Sequence, residues 1–244
     1  MREQESETVE ISADKSGGAS PEGEGQVLSK EGFAGVKKGC TDFWRGRFGD
    51  LYGIRNQSPE LIKNKEWLFR RGLEKMHFSG TKRIIEFGAN IGLNILALSK
   101  IDSLANYEFS AVEVNAAACG QLRQLKGVNV YEASMLQAER DWGSGYCLSL
   151  SVGVLIHIQP ADLPAAYAAL YDSSKRFIFI AEYHNPTPVE VVYRGHAGKL
   201  WKRDFAAEML DLYPDLKVAD YGFRWSRDPS APQDDLFWAL LRKG

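Results

Sequence analysis

The sequence predicts an α/β fold: a doubly wound, mostly parallel sheet with helices on both faces and a helical cap at the N-terminal side. Three observations carry this. From Arg83 onward, short β-rich apolar runs alternate with segments of helical periodicity, the order a parallel sheet requires. The first run ends in a glycine turn, "RIIEFGANIG", at residues 83–92. The last two runs are separated by "SRDPSAPQD", whose two prolines leave no room for a crossover helix. Those two strands must therefore pair antiparallel, so the sheet carries one antiparallel strand near its end.

Residues 1–40 stand apart. They are rich in Glu, Ser and Gly and nearly empty of large apolar side chains. Such a segment cannot bury enough surface to offset ordering entropy and is read as a disordered acidic tail; a docking segment is the alternative. Residues 41–82 form the expected cap. "TDFWRGRFGDLYGIRN" is dense in aromatics and arginine, and "ELIKNKEWLFRRGLEKM" places Leu61, Lys65, Leu68 and Gly72 at helical spacing. The core, residues 83–244, then runs in order. "RIIEF", "YEFSAVEV", "VNVYEA", "YCLSLSVGVLI" and "RFIFIAEY" are strands one to five. "GLNILALSKI", "AAACGQLRQL" and "PADLPAAYAALYDSS" are the helices between them, the last with Asp162 as its expected N-cap. "DFAAEMLDLY" is a helix stopped by Pro214, and "LKVADYGFRW" and "DLFWALLRK" bring the strand count to seven.

Whole-chain properties narrow the function. The 244 residues fit one domain with additions, and 44% apolar residues support a sizeable core. A net charge of -2 gives no general attraction to nucleic acid or anionic membranes. Lys199, Lys202 and Arg203 around Trp201 read as a solvated face. Cys40, Cys119 and Cys147 form no CxxC pair, which argues against zinc and redox motifs and suits a reducing compartment. No secretory h-region and no apolar stretch near the ~18 residues of a membrane span is present, so a cytoplasmic protein is expected. The sequence leaves monomer and homodimer open.

The glycine turn is the most informative stretch. Ligands of open α/β sheets bind beyond the carboxyl ends of the strands, beside the first strand. Gly88 can take a positive φ there, and Gly92 leaves the ligand or a neighbouring element unobstructed. A dinucleotide turn needs G-x-G-x-x-G, but Asn90 and Leu93 occupy two of the required glycine positions. No P-loop lysine motif exists either. Glu86, just before the turn, repels phosphate and suits a cationic, phosphate-free ligand. Glu113 closes the second strand, where a carboxylate can accept both hydroxyls of a ribose. Two acids side by side at adjacent strand ends point to a nucleoside that carries positive charge.

These residues resemble a known family. "IIEFGANIG" is similar to motif I of the class I S-adenosylmethionine-dependent methyltransferases, and "AVEVN" to the acidic end of their second strand. The resemblance implies a Rossmann-like methyltransferase fold with S-adenosylmethionine as cofactor. It implies cofactor contacts from Glu86, Gly88, Asn90, Gly92, Glu113 and Val114, with Ser151 at the end of strand four. Asn90 departs from the pattern, since many members carry glycine there. So does "EASML", where many members have an acid for the adenine amino group; Ser134 and Met135 take that neighbourhood here. A narrower resemblance runs through "FWRGRFGDLYGIRN", "GVLIHIQP", "AEYHNPTPVEVVYRGH" and "PQDDLFWALL", which look like the methyltransferases associated with pseudaminic acid biosynthesis. It implies a small polar acceptor, an acidic sugar (a nonulosonic acid) or its nucleotide-linked form. An N-methyltransferase of an amino-acid-like molecule and a non-catalytic cofactor-binding regulator are the alternatives.

Methyl transfer from a sulfonium is an in-line displacement, in which positioning and water exclusion do most of the work. An oxygen acceptor also needs a general base. His157 follows strand four; a base and a histidine pinning the turn are both open for it. His184 and His196 flank the loop "EYHNPTPVEVVYRGH", stiffened by Pro186 and Pro188. The loop also offers Tyr183 as a catalytic candidate, and Glu182, Asn185, Tyr193 and Arg194 as acceptor contacts. Trp44 and Tyr52 are candidates to face the sulfonium by cation–π attraction. Arg55 and Arg194 suit an acceptor carboxylate. Glu182, His184 and His196 show no metal-ligand spacing, so no metal is expected.

Overall fold

The structure, a computed structural model, describes residues 39–77 and 80–244. Residues 1–38, most of the expected tail, lie outside the described residues.

The segment expected to be one cap divides in two. Helices α1 (Cys40–Arg45) and α2 (Arg47–Arg55) form a strap hinged at Gly46, whose extended backbone separates them. Helix α3 (Pro59–Gly72) belongs instead to the body of the fold, with Leu68 and Phe69 completely buried. Gly72 ends it where a Cβ would stand 2.5 Å from the Phe179 ring.

The sheet then builds as the alternation dictates: β1 (Arg83–Phe87), α4 (Leu93–Ser99), β2 (Glu108–Glu113), α5 (Ala116–Leu122), β3 (Val128–Glu132), β4 (Tyr146–Val152), α6 (Leu163–Ser173), β5 (Ser174–Glu182). A small hairpin of β6 (Val189–Glu190) and β7 (Trp201–Lys202) follows, then α7 (Phe205–Leu212), β8 (Leu216–Arg224) and β9 (Leu236–Lys243). The main sheet has seven strands in the order β3-β2-β1-β4-β5-β9-β8. β9 alone runs antiparallel, pairing with β5 on one side and β8 on the other. Asn115 caps α5 by accepting the Ala118 N–H, and Asp204 caps α7. Asp162 stands at the N-cap of α6 without a side-chain cap bond; a short 3₁₀ turn from Pro160 leads into the helix instead.

Strand alternation sorts the core into two layers. Ile85, Phe87, Ile178 and Ile180 pack under α6 and α7. Ile84, Leu148, Leu150, Phe177 and Phe179 pack under α3 and α4. Glu86 falls on the same face as Ile84 and so points toward α3 and α4. That face decides its surroundings.

Candidate functional site

A cavity of about 590 Å³ opens at the carboxyl ends of β1, β2 and β4, within the range of small-molecule sites. The strap roofs it, and the segment before β9 closes one side.

At one end lies the glycine turn. Gly88 has φ 71°, donates its N–H to Val112 O at 2.8 Å, and passes so close to Val154 that a Cβ would sit 2.5 Å from Cγ2. Asn90 has φ 47°, in the left-handed region that asparagine tolerates better than most residues. Its side-chain oxygen accepts the Ile91 N–H at 2.7 Å. The departure from glycine is thereby accommodated by local hydrogen bonding. Gly92, at φ 86°, is the N-cap of α4 and lies against Leu122 and Leu125 rather than on the cavity wall. Its small size serves packing between α4 and the region of α5, which corrects its expected place among the ligand contacts.

Glu113 lines the cavity but is largely buried. Its Oε2 accepts the Asn90 N–H at 2.7 Å, and its Oε1 accepts the N–H groups of Val114 and Asn115 at 2.8 Å each. Burial raises its pKa, opposed by these backbone bonds. A carboxylate offers about four acceptor positions; the backbone takes three, so one is left on Oε2 for a ligand hydroxyl.

Glu86 is not beside Glu113. Its register partner on β2 is Ala111, and it does not reach the cavity. It is buried below the floor and accepts the side-chain N–H of Asn94 at 2.5 Å. Asn94 in turn accepts from Lys65 Nζ at 2.8 Å. Asn94 and Lys65 are the cavity-facing members of this chain. Burial holds the Glu86 carboxyl well above the usual range and pulls Lys65 down. Lys65 had stood in the apolar stripe of α3 between Leu61 and Leu68, a lysine where burial was expected. That was the available signal for it; Asn94 offered none.

Val114, Ser134 and Met135 also line the cavity, with Met135 buried and the Ser134 hydroxyl accepting the Leu136 N–H at 3.2 Å. Ser151 does not. It is fully buried and donates to Glu182 Oε1 at 2.9 Å.

Glu182 is likewise absent from the wall. It is buried at the end of β5 and accepts the N–H groups of Val154 and Leu155 at 3.1 Å and of Ile156 at 3.4 Å. It clasps the turn after β4 instead of facing an acceptor. Burial, opposed by these four donors, leaves its pKa raised to about 7.

The turn it clasps presents His157. This ring lines the cavity, packed 4.6 Å from Trp44 and 4.8 Å from Tyr193, centroid to centroid. Its Nδ1 lies 2.7 Å from the Lys199 carbonyl oxygen, which can only accept. Nδ1 therefore carries the proton, and Nε2 is the acceptor nitrogen. Burial lowers the pKa to about 4, so the ring is neutral at ordinary pH.

The far end is ringed by Tyr52, Arg55, Tyr183, Tyr193, Arg194 and Asp234. Tyr193 and His196 exchange backbone hydrogen bonds of 2.9 Å around Arg194 and Gly195, both at positive φ. This two-residue hairpin turn swings Tyr193 and Arg194 to the wall. Burial raises Tyr52 to about 12, and burial together with Asp234 raises Tyr183 further. His184, Asn185 and His196 stay outside the cavity. His184 Nε2 faces Asp204 at 3.4 Å, Asn185 bonds Thr187 O, and His196 packs on Phe43 and Phe48. With Glu182 turned inward, these side chains do not converge, and no cluster able to hold a metal occurs among the described residues. No helix among them is long and apolar enough to cross a membrane.

No protein-family model and no curated protein sequence matches the chain. Solved structures do. A methyltransferase from Anabaena variabilis superposes with a TM-score of 0.62 at 13% identity, over 88% of this chain and 100% of that one. The fold is that of a class I S-adenosylmethionine-dependent methyltransferase. Magnesium protoporphyrin IX methyltransferase from Synechocystis, solved with S-adenosylmethionine bound, gives 0.60 at 11% identity over 86% of this chain and all of that one. The 1,6-didemethyltoxoflavin N1-methyltransferase of Burkholderia thailandensis gives 0.58 at 12% identity, over 84% and 86%. Within the methyltransferase fold, the glycine turn, the second-strand acid and the turn after β4 are the elements this chain brings to its cavity.

Proposed function

We propose that this chain is an S-adenosylmethionine-dependent methyltransferase acting on a hydroxyl of a small polar molecule. One observation carries the reading: Glu113 and His157 line the same cavity, and the His157 Nδ1 is committed to Lys199 O, which leaves Nε2 as its acceptor nitrogen. The residues present fit the cofactor. Glu113 Oε2 keeps an acceptor position for a ribose hydroxyl. Met135 offers an apolar surface for a base. Lys65, held by Asn94 and Glu86, suits the carboxylate of an amino-acid tail. S-adenosylmethionine supplies an electrophilic methyl group when bound. His157 takes the proton from the acceptor hydroxyl at Nε2, and Lys199 O steadies the imidazolium through Nδ1. Trp44 and Tyr193 fix the ring and keep water away. Arg55 and Arg194 favour an acceptor with a carboxylate, as the resemblance to the pseudaminic acid-associated methyltransferases implies for an acidic sugar. Transfer to nitrogen is the second reading, favoured by the structural likeness to the 1,6-didemethyltoxoflavin N1-methyltransferase.

The test is a pH profile of methyl transfer to a panel of hydroxy acids and amino acids, read as a one-methyl mass gain. With His157 lowered to about 4, a hydroxyl acceptor gives a rate that is flat from about pH 5 to 8. A rate that climbs with the deprotonation of an amine favours transfer to nitrogen. No methylated product on any acceptor, and no calorimetric binding of S-adenosylhomocysteine, removes the proposal.

A further inference from the structure

The residue two positions after the nucleoside-side acid also holds the roof of the acceptor side. Asn115 is buried, and its backbone N–H donates to Glu113 Oε1. Its side-chain oxygen caps α5. Its Nδ2 reaches across to the strap, 3.2 Å from Trp44 O, 3.4 Å from Arg45 O and 2.7 Å from Asp50 Oδ1. The strap is shaped for this approach: a Cβ on Gly49 would stand 2.9 Å from Asn115 Nδ2 and 1.9 Å from Trp44 O. The strap's other moorings lie on the acceptor side. Lys199 Nζ donates to Gly39 O at 2.9 Å, Phe43 packs 5.1 Å from His196, and Trp44 lies against His157 and Tyr193.

We propose that Asn115 is a positioning residue that couples the nucleoside end of the cavity to the strap, so that cofactor binding closes Trp44, Tyr52 and Arg55 over the acceptor and precedes it. This rests on the methyltransferase reading above. A ligand hydroxyl on Glu113 Oε2 restricts rotation of the carboxylate, which holds Oε1 on the Asn115 N–H and so fixes Asn115 and its grip on Asp50. The link is reciprocal, so a strap released from Asn115 weakens cofactor binding by the factor that the cofactor adds to strap closure.

Hydrogen exchange of peptides spanning residues 40–55, with and without saturating S-adenosylhomocysteine, tests this on the full chain. In the wild type the ligand slows exchange there by ~10-fold or more. Asp50→Ala leaves the α5 cap and Glu113 untouched; it cuts that protection to ~3-fold and weakens ligand affinity in proportion. Asn115→Asp keeps the cap acceptor but turns a donor into a carboxylate facing three acceptors; it abolishes the protection. Adding Asp50→Asn to it restores a donor–acceptor pair and recovers protection, which a purely structural cap would not do. Unchanged protection in Asp50→Ala, or no recovery in the exchanged pair, overturns the coupling while leaving the cofactor reading intact. Failure of the wild type to bind S-adenosylhomocysteine overturns both.

Discussion

The two ends of the cavity are made of different material. The glycine-turn end is mostly main chain: positive-φ residues at 88 and 90, amides converging on Glu113, and strand ends whose positions the parallel ladder fixes. The other end is side chains: Trp44, Tyr52 and Arg55 from the strap, Tyr193 and Arg194 from the hairpin loop and Asp234 from the segment before β9, packed around His157 on the turn after β4. Backbone can hold a ligand common to many enzymes, because its hydrogen bonds do not depend on side-chain identity. Side chains on added segments can be exchanged without disturbing the sheet, which is why the proposed acceptor contacts are assigned to them.

This contrast can be broken by mutation. The largest effect is expected at the strap end. His157→Gln should lower turnover by ~10²–10⁴-fold while moving cofactor affinity by no more than about twofold, measured by steady-state rates and calorimetry. A loss of affinity equal to the loss of rate would show that the two ends are not separable.

Next comes an acid that holds the turn after β4 and the Ser151 hydroxyl. Glu182→Ala strands the Ser151 hydroxyl and three amides, and should cost about 3 kcal/mol in denaturant unfolding. Glu182→Gln keeps the oxygen that accepts the shorter bonds and should cost far less. The pH dependence sharpens this. With its pKa raised from 4.5 to about 7, folded Glu182 holds more protons than the unfolded chain inside that window. Stability contributed by this group is therefore full below about pH 4.5 and falls as pH rises toward 7. His157, lowered from 6.5 to about 4, acts in the opposite sense, so its share is lost as pH falls through that interval. Unfolding of Glu182→Gln from pH 4.5 to 7 should show a shallower decline, the share of buried Glu86 remaining; an unchanged slope would place the titration elsewhere.

The smallest effect belongs to the glycine-turn end. Glu113→Ala should weaken S-adenosylhomocysteine binding by ~10-fold, the scale of one charge-assisted hydrogen bond. The loss is bounded because the ligand uses one acceptor position of this carboxylate, the backbone having the rest. Unchanged affinity by calorimetry would remove Glu113 from the ligand contacts.

What could be read in advance follows the same division. The strand–helix alternation, the antiparallel last strand and the glycine turn were all legible, because each depends on neighbours within a few residues. A place on the cavity wall was legible where a residue's own strand end delivers it, as for Glu113 and His157. It was misread where facing decides. Glu86 looked like a partner of Glu113, but it lies two positions earlier along the paired ladder and on the face under α3. Glu182 and Ser151 looked like wall residues and instead satisfy each other in the interior. His196 shared a loop with Tyr193, yet the turn at Arg194 and Gly195 separates them and Tyr193 alone of the two lines the cavity, while His184 faces Asp204.

By itself, the sequence determined a doubly wound sheet and a sharp glycine turn at the end of its first strand, since strand periodicity and glycine conformation are local properties of the chain. Tertiary structure decided which acids are buried, which histidine keeps a free acceptor nitrogen, and that Asn115 reaches Asp50 sixty-five residues away. Those outcomes depend on desolvation and on contacts between distant segments, which are settled when the layers pack.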